Sequence, residues 1–128
     1  MADTGTATYA SGIEEHQGFK RLVVAWTSTA GGAVEKTIGL PLGGYVSRLT
    51  TIPSGSAAPT DNYDITWEDE QGVDFLQALG ANRDTANTET AAIQLTNGLP
   101  VPVYAPRTVF KVANAGNAKS GTAILYWK

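Results

Sequence analysis

PTDNYDITWEDEQGVDF, residues 59–75, holds Asp61, Asp64, Glu68, Asp69, Glu70 and Asp74, half of the chain's 12 acidic residues, interleaved with Tyr63, Trp67 and Phe75. Within it, Tyr63, Ile65 and Trp67 alternate with Asp64, Thr66 and Glu68. That period of two puts successive side chains on opposite faces of a strand. DEQG at 69–72 then supplies a turn, with Gly72 free to take the positive φ that ends a type I turn with a bulge. VDFLQAL at 73–79 fits a strand and a single helical turn equally well and stays open.

The same rhythm extends outward. From Phe19 onward, short β-branched and aromatic runs are separated by Gly, Pro, Asn and Ser clusters at intervals of about ten residues, the pattern of an all-β sandwich or barrel. FKRLVVAWTST at 19–29 is apolar on both faces and reads as a central strand. AVEKTIGL at 33–40 follows a glycine turn, and YVSRLTTI at 45–52 keeps period two only with a bulge near Ser47 or Arg48. TAAIQLT at 90–96 is a strand, and Asn97-Gly98 predicts a type I′ hairpin. Pro100, Pro102 and Pro106 make LPVPVYAP an edge or crossing segment, because proline donates no ladder hydrogen bond. RTVFKVA and TAILYW flank a longer loop as a final hairpin. The expectation is a single-domain antiparallel β-sandwich or barrel, jelly-roll-like, over residues 19–128. Residues 1–18, polar apart from Tyr9 and Ile13, read as a flexible N-terminal arm.

At 128 residues, one domain is the default. Charged residues make up 16% of the chain, against about 25% in ordinary soluble domains. A surface with so few solubilising charges points to an oligomer or a part of a larger assembly. The net charge of −3 and the scattered cations provide no track for a phosphate backbone, so nucleic acid is not an expected partner. Apolar runs such as LVVAW fall far short of the ~20 residues that span a bilayer, and no membrane partner is expected. The first residues lack the basic start and apolar core of a signal peptide, which fits synthesis in a cytoplasm. With no cysteine there is neither a disulfide nor a thiolate site.

The acidic stretch fails the chemical tests. Counted from Asp61 or from Asp69, calcium-loop positions three and five fall on Tyr63 and Ile65 or on Gln71 and Val73. Asp64 and Glu68 share a strand face with backbones roughly 13 Å apart, beyond the ~5–9.5 Å of glycosidase carboxylate pairs. His16, the single histidine, lies in the arm, and neither a G-x-S-x-G elbow nor a phosphate-binding glycine loop occurs. No enzyme activity, cofactor or metal is therefore expected. Trp26 and Trp127 read as core. Tyr63 and Trp67 share a face with Ile65, so core is their first reading and a ligand or subunit contact the second.

RLTTIP at 48–53, APTDNYDITWEDEQGVDFLQALGANRDTANTE at 58–89 and VANAGNAKSGTAILYW at 112–127 resemble small virion structural proteins of tailed double-stranded DNA bacteriophages, of the capsid decoration or cement type. The resemblance runs from about Phe19 to Trp127. It implies a β-rich homotrimer, made in the host cytoplasm, that sits on the outer capsid surface and clamps the major capsid protein. It implies no catalytic residues. On that basis residues 1–18 would add an extended segment to a coat-protein sheet edge, with Tyr9 and Ile13 as anchors and Tyr63 and Trp67 as further partner contacts. A tail, neck or baseplate component is the alternative within virions. A carbohydrate-binding β-sandwich module using Tyr63 and Trp67 is the alternative from another class.

Overall fold

The computed structural model describes residues 3–128. Among them the chain forms strands β1 Thr6–Tyr9, β2 Glu14–His16, β3 Phe19–Thr27, β4 Val34–Ile38 and β5 Leu42–Pro53. It continues with β6 Asp64–Glu68, β7 Glu89–Ala92, β8 Val101–Ala105, β9 Thr108–Ala113 and β10 Ser120–Trp127. A seven-stranded sheet runs β1-β3-β10-β5-β7, with β2 also on β3 and β8 also on β5. A three-stranded sheet runs β4-β9-β6, and all pairings are antiparallel. The fold is the expected all-β antiparallel sandwich.

Period two fills the space between the sheets. From the large sheet, Leu22, Val24 and Trp26 of β3 and Ala123, Leu125 and Trp127 of β10 point inward and are buried. Ile65 and Trp67 of β6, Phe110 and Val112 of β9, and Val34 and Ile38 of β4 meet them from the small sheet. Each buried side chain of Val to Phe size contributes about 1.5–3 kcal/mol. The predicted bulge exists: Tyr126 faces Arg48 while Trp127 faces Val46, so Ser47 is the extra residue. Its carbonyl accepts instead from the Ile93 N–H. Gly44, at φ +140°, lets β5 pass the end of β10, because a Cβ there would lie 2.5 Å from the Lys128 carbonyl oxygen.

Four local expectations change. Residues 1 and 2 lie outside the described residues, but the rest of the stretch read as an arm is laid into the sandwich. Thr6–Tyr9 pairs with Val24–Thr27 of β3, Glu14–His16 pairs with Phe19–Arg21, and Thr4 bridges to Glu35 of β4. Ala7 is buried opposite Trp26, and Tyr9 and Ile13 pack on the core. A central β3 needs a neighbour on each edge, and small Thr and Ala residues suffice to supply one; their low hydropathy hid the strand.

Asn97-Gly98 is not a type I′ hairpin. Only Gly98 has positive φ, and Leu95 is bonded to both Gly98 and Leu99, a type I turn with a bulge. The strands that flank it, β7 and β8, do not pair with each other but follow one another along β5. β8 is the edge strand its prolines require. Nor do β9 and β10 form a hairpin, since one belongs to each sheet. VDFLQAL resolves as neither strand nor helix. It is a run of turns that buries Phe75 and Leu76, with Gln77 and Ala78 at positive φ.

Candidate interaction face

The four aspartates of residues 59–75 are occupied with backbone. Asp69 Oδ1 accepts from the Gln71 and Val73 N–H groups and closes the 69–73 turn. Asp74 Oδ1 accepts from the Trp67 and Leu76 N–H groups, and its Oδ2 from Ala78. Asp64 binds the Asn82 N–H and the Asn114 amide, and Asp61 accepts from the Thr85 N–H. Among the described residues, no three acidic or histidine side chains gather as a cation site. Asp74→Ala removes three acceptor contacts at once. Since hydrogen bonds to a charged group contribute about 1.5–3 kcal/mol each and compensate in part, the loss is expected at about 2–4 kcal/mol. A urea midpoint unchanged from the wild type would refute that role.

The four residues singled out from sequence are not brought together. Tyr63 and Trp67 are wholly buried in the subunit's own core. Burial pushes the Tyr63 phenol above its ordinary range. Tyr9 is half-buried and its hydroxyl accepts from the Gly39 N–H, while Ile13 is packed on the core from the other end of the same stretch. Neither ring of the Tyr63–Trp67 pair is presented to a partner.

The two outer faces of the sandwich differ in chemistry. On the small sheet, Lys111 stands between Glu68 at 3.1 Å and Glu35 at 3.7 Å, beside Asp64, Thr66 and Thr37. The hydrogen bond that Lys111 donates to Glu68 is the main cause that raises its ammonium above the ordinary range. This face is charged and internally paired. On the large sheet, register aligns Thr8, Ala25, Thr122 and Ile52 in one row and Val23, Ile124, Thr50 and Thr90 in the next. Neither row carries a charge. Broad, uncharged and rich in β-branched residues, this surface covers the middle of the sheet.

At one end the large sheet changes character. Arg21, Tyr126, Arg48 and Ala92 form the next row, with the Arg48 guanidinium 4.7 Å over the Tyr126 ring. Beyond it, Lys128 exchanges backbone hydrogen bonds with Tyr45 and sets its ammonium 4.5 Å over Phe19. Tyr45 faces Pro102 and Tyr104 faces Gly43, which makes the two tyrosines diagonal neighbours on one face. Tyr104 is 89% exposed, Tyr45 59% and Phe19 56%. Half of the large apolar side chains that reach solvent among the described residues therefore collect in one stripe, interleaved with cations.

Sequence reasoning missed this stripe. The Ser47 bulge breaks the alternation that would have assigned Tyr45 a face. For Tyr104 the signal was available: in VPVYA, Pro102 and Tyr104 alternate with Val101, Val103 and Ala105, which turn out buried.

No protein-family model matches the chain, and no curated protein does. Solved structures with some likeness include a cyanophage Pam1 capsid asymmetric unit, at 19% identity over 97% of this chain and 85% of that one, with a TM-score of 0.40. A chitosan-binding module of a Paenibacillus chitosanase/glucanase is 12% identical over 98% and 96% of the two chains, with a TM-score of 0.46. A Streptococcus pneumoniae fucose-binding module is 9% identical over 100% and 98%, with a TM-score of 0.48. Scores of this size leave function to be read from the chain's own residues.

Proposed function

We propose that this chain is a non-enzymatic structural protein of a tailed-phage virion, a head decoration protein that binds the major capsid protein as a homotrimer and holds coat subunits together. The observation that carries the proposal is the contrast between faces: a charged, internally paired small sheet and a large sheet whose centre is uncharged and β-branched. A surface of the second kind favours burial against protein. The sequence resemblance over Phe19–Trp127 supports the virion setting. In this reading the central rows around Ala25 and Thr122 lie on the coat lattice. A trimer makes three such modest contacts, and the first turns the other two into intramolecular events.

The test is co-sedimentation with empty expanded capsids. Wild-type protein should pellet with the capsids. Ala25→Arg, which places a charge in the middle of an exposed row, should fold normally and stay in the supernatant. Wild-type protein that fails to pellet would overturn the proposal. Copy number then fixes the position: hundreds per particle for decoration, about six or twelve for a neck or tail site.

A carbohydrate-binding reading no longer has Tyr63 and Trp67 at its disposal, but the exposed Tyr45–Tyr104 pair offers rings on which a sugar could stack. Glycan-array binding that Tyr104→Ser abolishes would favour that reading over decoration.

A further inference from the structure

We infer that the aromatic end of the large sheet receives the 69–73 turn of a second copy of this chain, a contact that rests on the trimer reading above and assigns its interface. The receiving surface is the stripe of Tyr45 and Tyr104 with Arg48 and Lys128 beside them. The inserted element is equally defined. Asp69 fixes the turn by accepting from Gln71 and Val73, while backbone bonds join Asp69 to Val73 and Gly72 to Asp69. It presents Glu70 at its tip and Val73, 53% exposed, at its base. Among the described residues, Glu70 is the acid of the 59–75 stretch that has neither a hydrogen bond nor an ion pair.

The two surfaces match in both kinds of chemistry. Val73 offers an exposed apolar group where the stripe offers exposed phenol rings, and Glu70 offers a free carboxylate where the stripe offers a guanidinium and an ammonium. Because the turn is already held by its own hydrogen bonds, little ordering cost accompanies docking. Aromatic and Arg side chains are also those that dominate interface energetics.

The two surfaces lie close together on the subunit. Tyr104 shares a hollow with Pro106, and Glu70 and Gly72 share one with Arg107, so the two surfaces flank the same β8–β9 corner. A contact between different patches is head-to-tail and generates either a ring or a filament. A ring forms where the rotation between successive subunits closes, and the oligomeric state in solution decides it.

Light scattering at micromolar concentration tests the contact, with circular dichroism confirming that each surface variant is folded. The wild type should be a trimer. Val73→Ser, Tyr104→Ser and Glu70→Lys should each weaken association by about tenfold or more, the scale of an interface hot spot. Arg48→Glu with Lys128→Glu should do the same. Adding Glu70→Lys to that pair in one chain should restore the trimer, since every interface would then carry reversed but matched charges. A trimeric wild type whose variants associate unchanged overturns this contact and leaves the trimer standing. A monomeric wild type overturns the trimer and this contact together, and capsid co-sedimentation then judges decoration on its own.

Discussion

Trp67→Ala is expected to bring the domain to the edge of unfolding. The side chain is wholly buried between the sheets, stands edge-on to Phe110 at 4.9 Å and lies 6.4 Å from Phe75. Its Nε1 donates to the buried Thr108 hydroxyl at 2.9 Å. Truncating a buried aromatic to alanine costs about 3–5 kcal/mol, much of it for the cavity left behind. Leaving Thr108 without its partner adds about 1 kcal/mol or more. Against a total stability of about 5–15 kcal/mol for a domain, that is a large fraction. Trp67→Phe keeps the ring and loses only the donor and some volume, so its urea midpoint should fall between the two. An alanine variant as stable as the phenylalanine variant would mean that Trp67 is not a core residue, and would reopen it as a surface contact.

Deleting residues 1–18 should destabilise the subunit itself. An arm reserved for a coat protein could be cut away without harm to the fold. Here the cut removes buried Ala7, the packed Tyr9 and Ile13, and the strands that pair with Phe19–Arg21 and Val24–Thr27 along one edge of β3. Partial burial of two large side chains and the loss of the four-residue β1 and three-residue β2 ladders add up to about 3–5 kcal/mol. The exposed β3 edge is also a template for pairing with other chains. Lower melting temperature and aggregation are therefore expected before any loss of capsid binding can be assigned to a missing contact. A truncated protein that melts with the full chain would show that the segment is dispensable to the fold and return it to the role of an arm.

Much of the fold was legible because strand formation leaves a local trace. Ile65 and Trp67 turned inward as their alternation with Asp64, Thr66 and Glu68 required, and Gly72 took its positive φ. A bulge near Ser47 or Arg48 could be inferred from a broken alternation alone, and the register sets it at Ser47. The interaction face was not legible in the same way. Val23, Thr50, Thr122 and Ile124 are spread over three strands, and nothing in any one of them announces that the others will stand alongside. The stripe is more extreme, since Phe19, Tyr45, Tyr104 and Tyr126 come from four strands. Sequence reasoning turned instead to Tyr63 and Trp67 because they stood among acids. The aspartates among them proved to be acceptors for backbone N–H groups, and the rings belong to the core.

The sequence by itself determined an all-β antiparallel domain, the division of residues 63–68 between core and outer face, the turn at 69–72 with its glycine, and the missing ladder donors that keep β8 out of a sheet interior. These are properties of a few neighbouring residues: period two, proline's missing donor and glycine's access to positive φ act within a segment wherever it is placed. Only the tertiary structure decided that residues 6–16 complete the large sheet, that β9 and β10 part company at the loop between them, and that four distant aromatics meet on one surface. Those outcomes depend on which strands pair, and pairing is settled by the summed burial of Trp26, Trp67, Phe110, Trp127 and their neighbours, which no single segment contains.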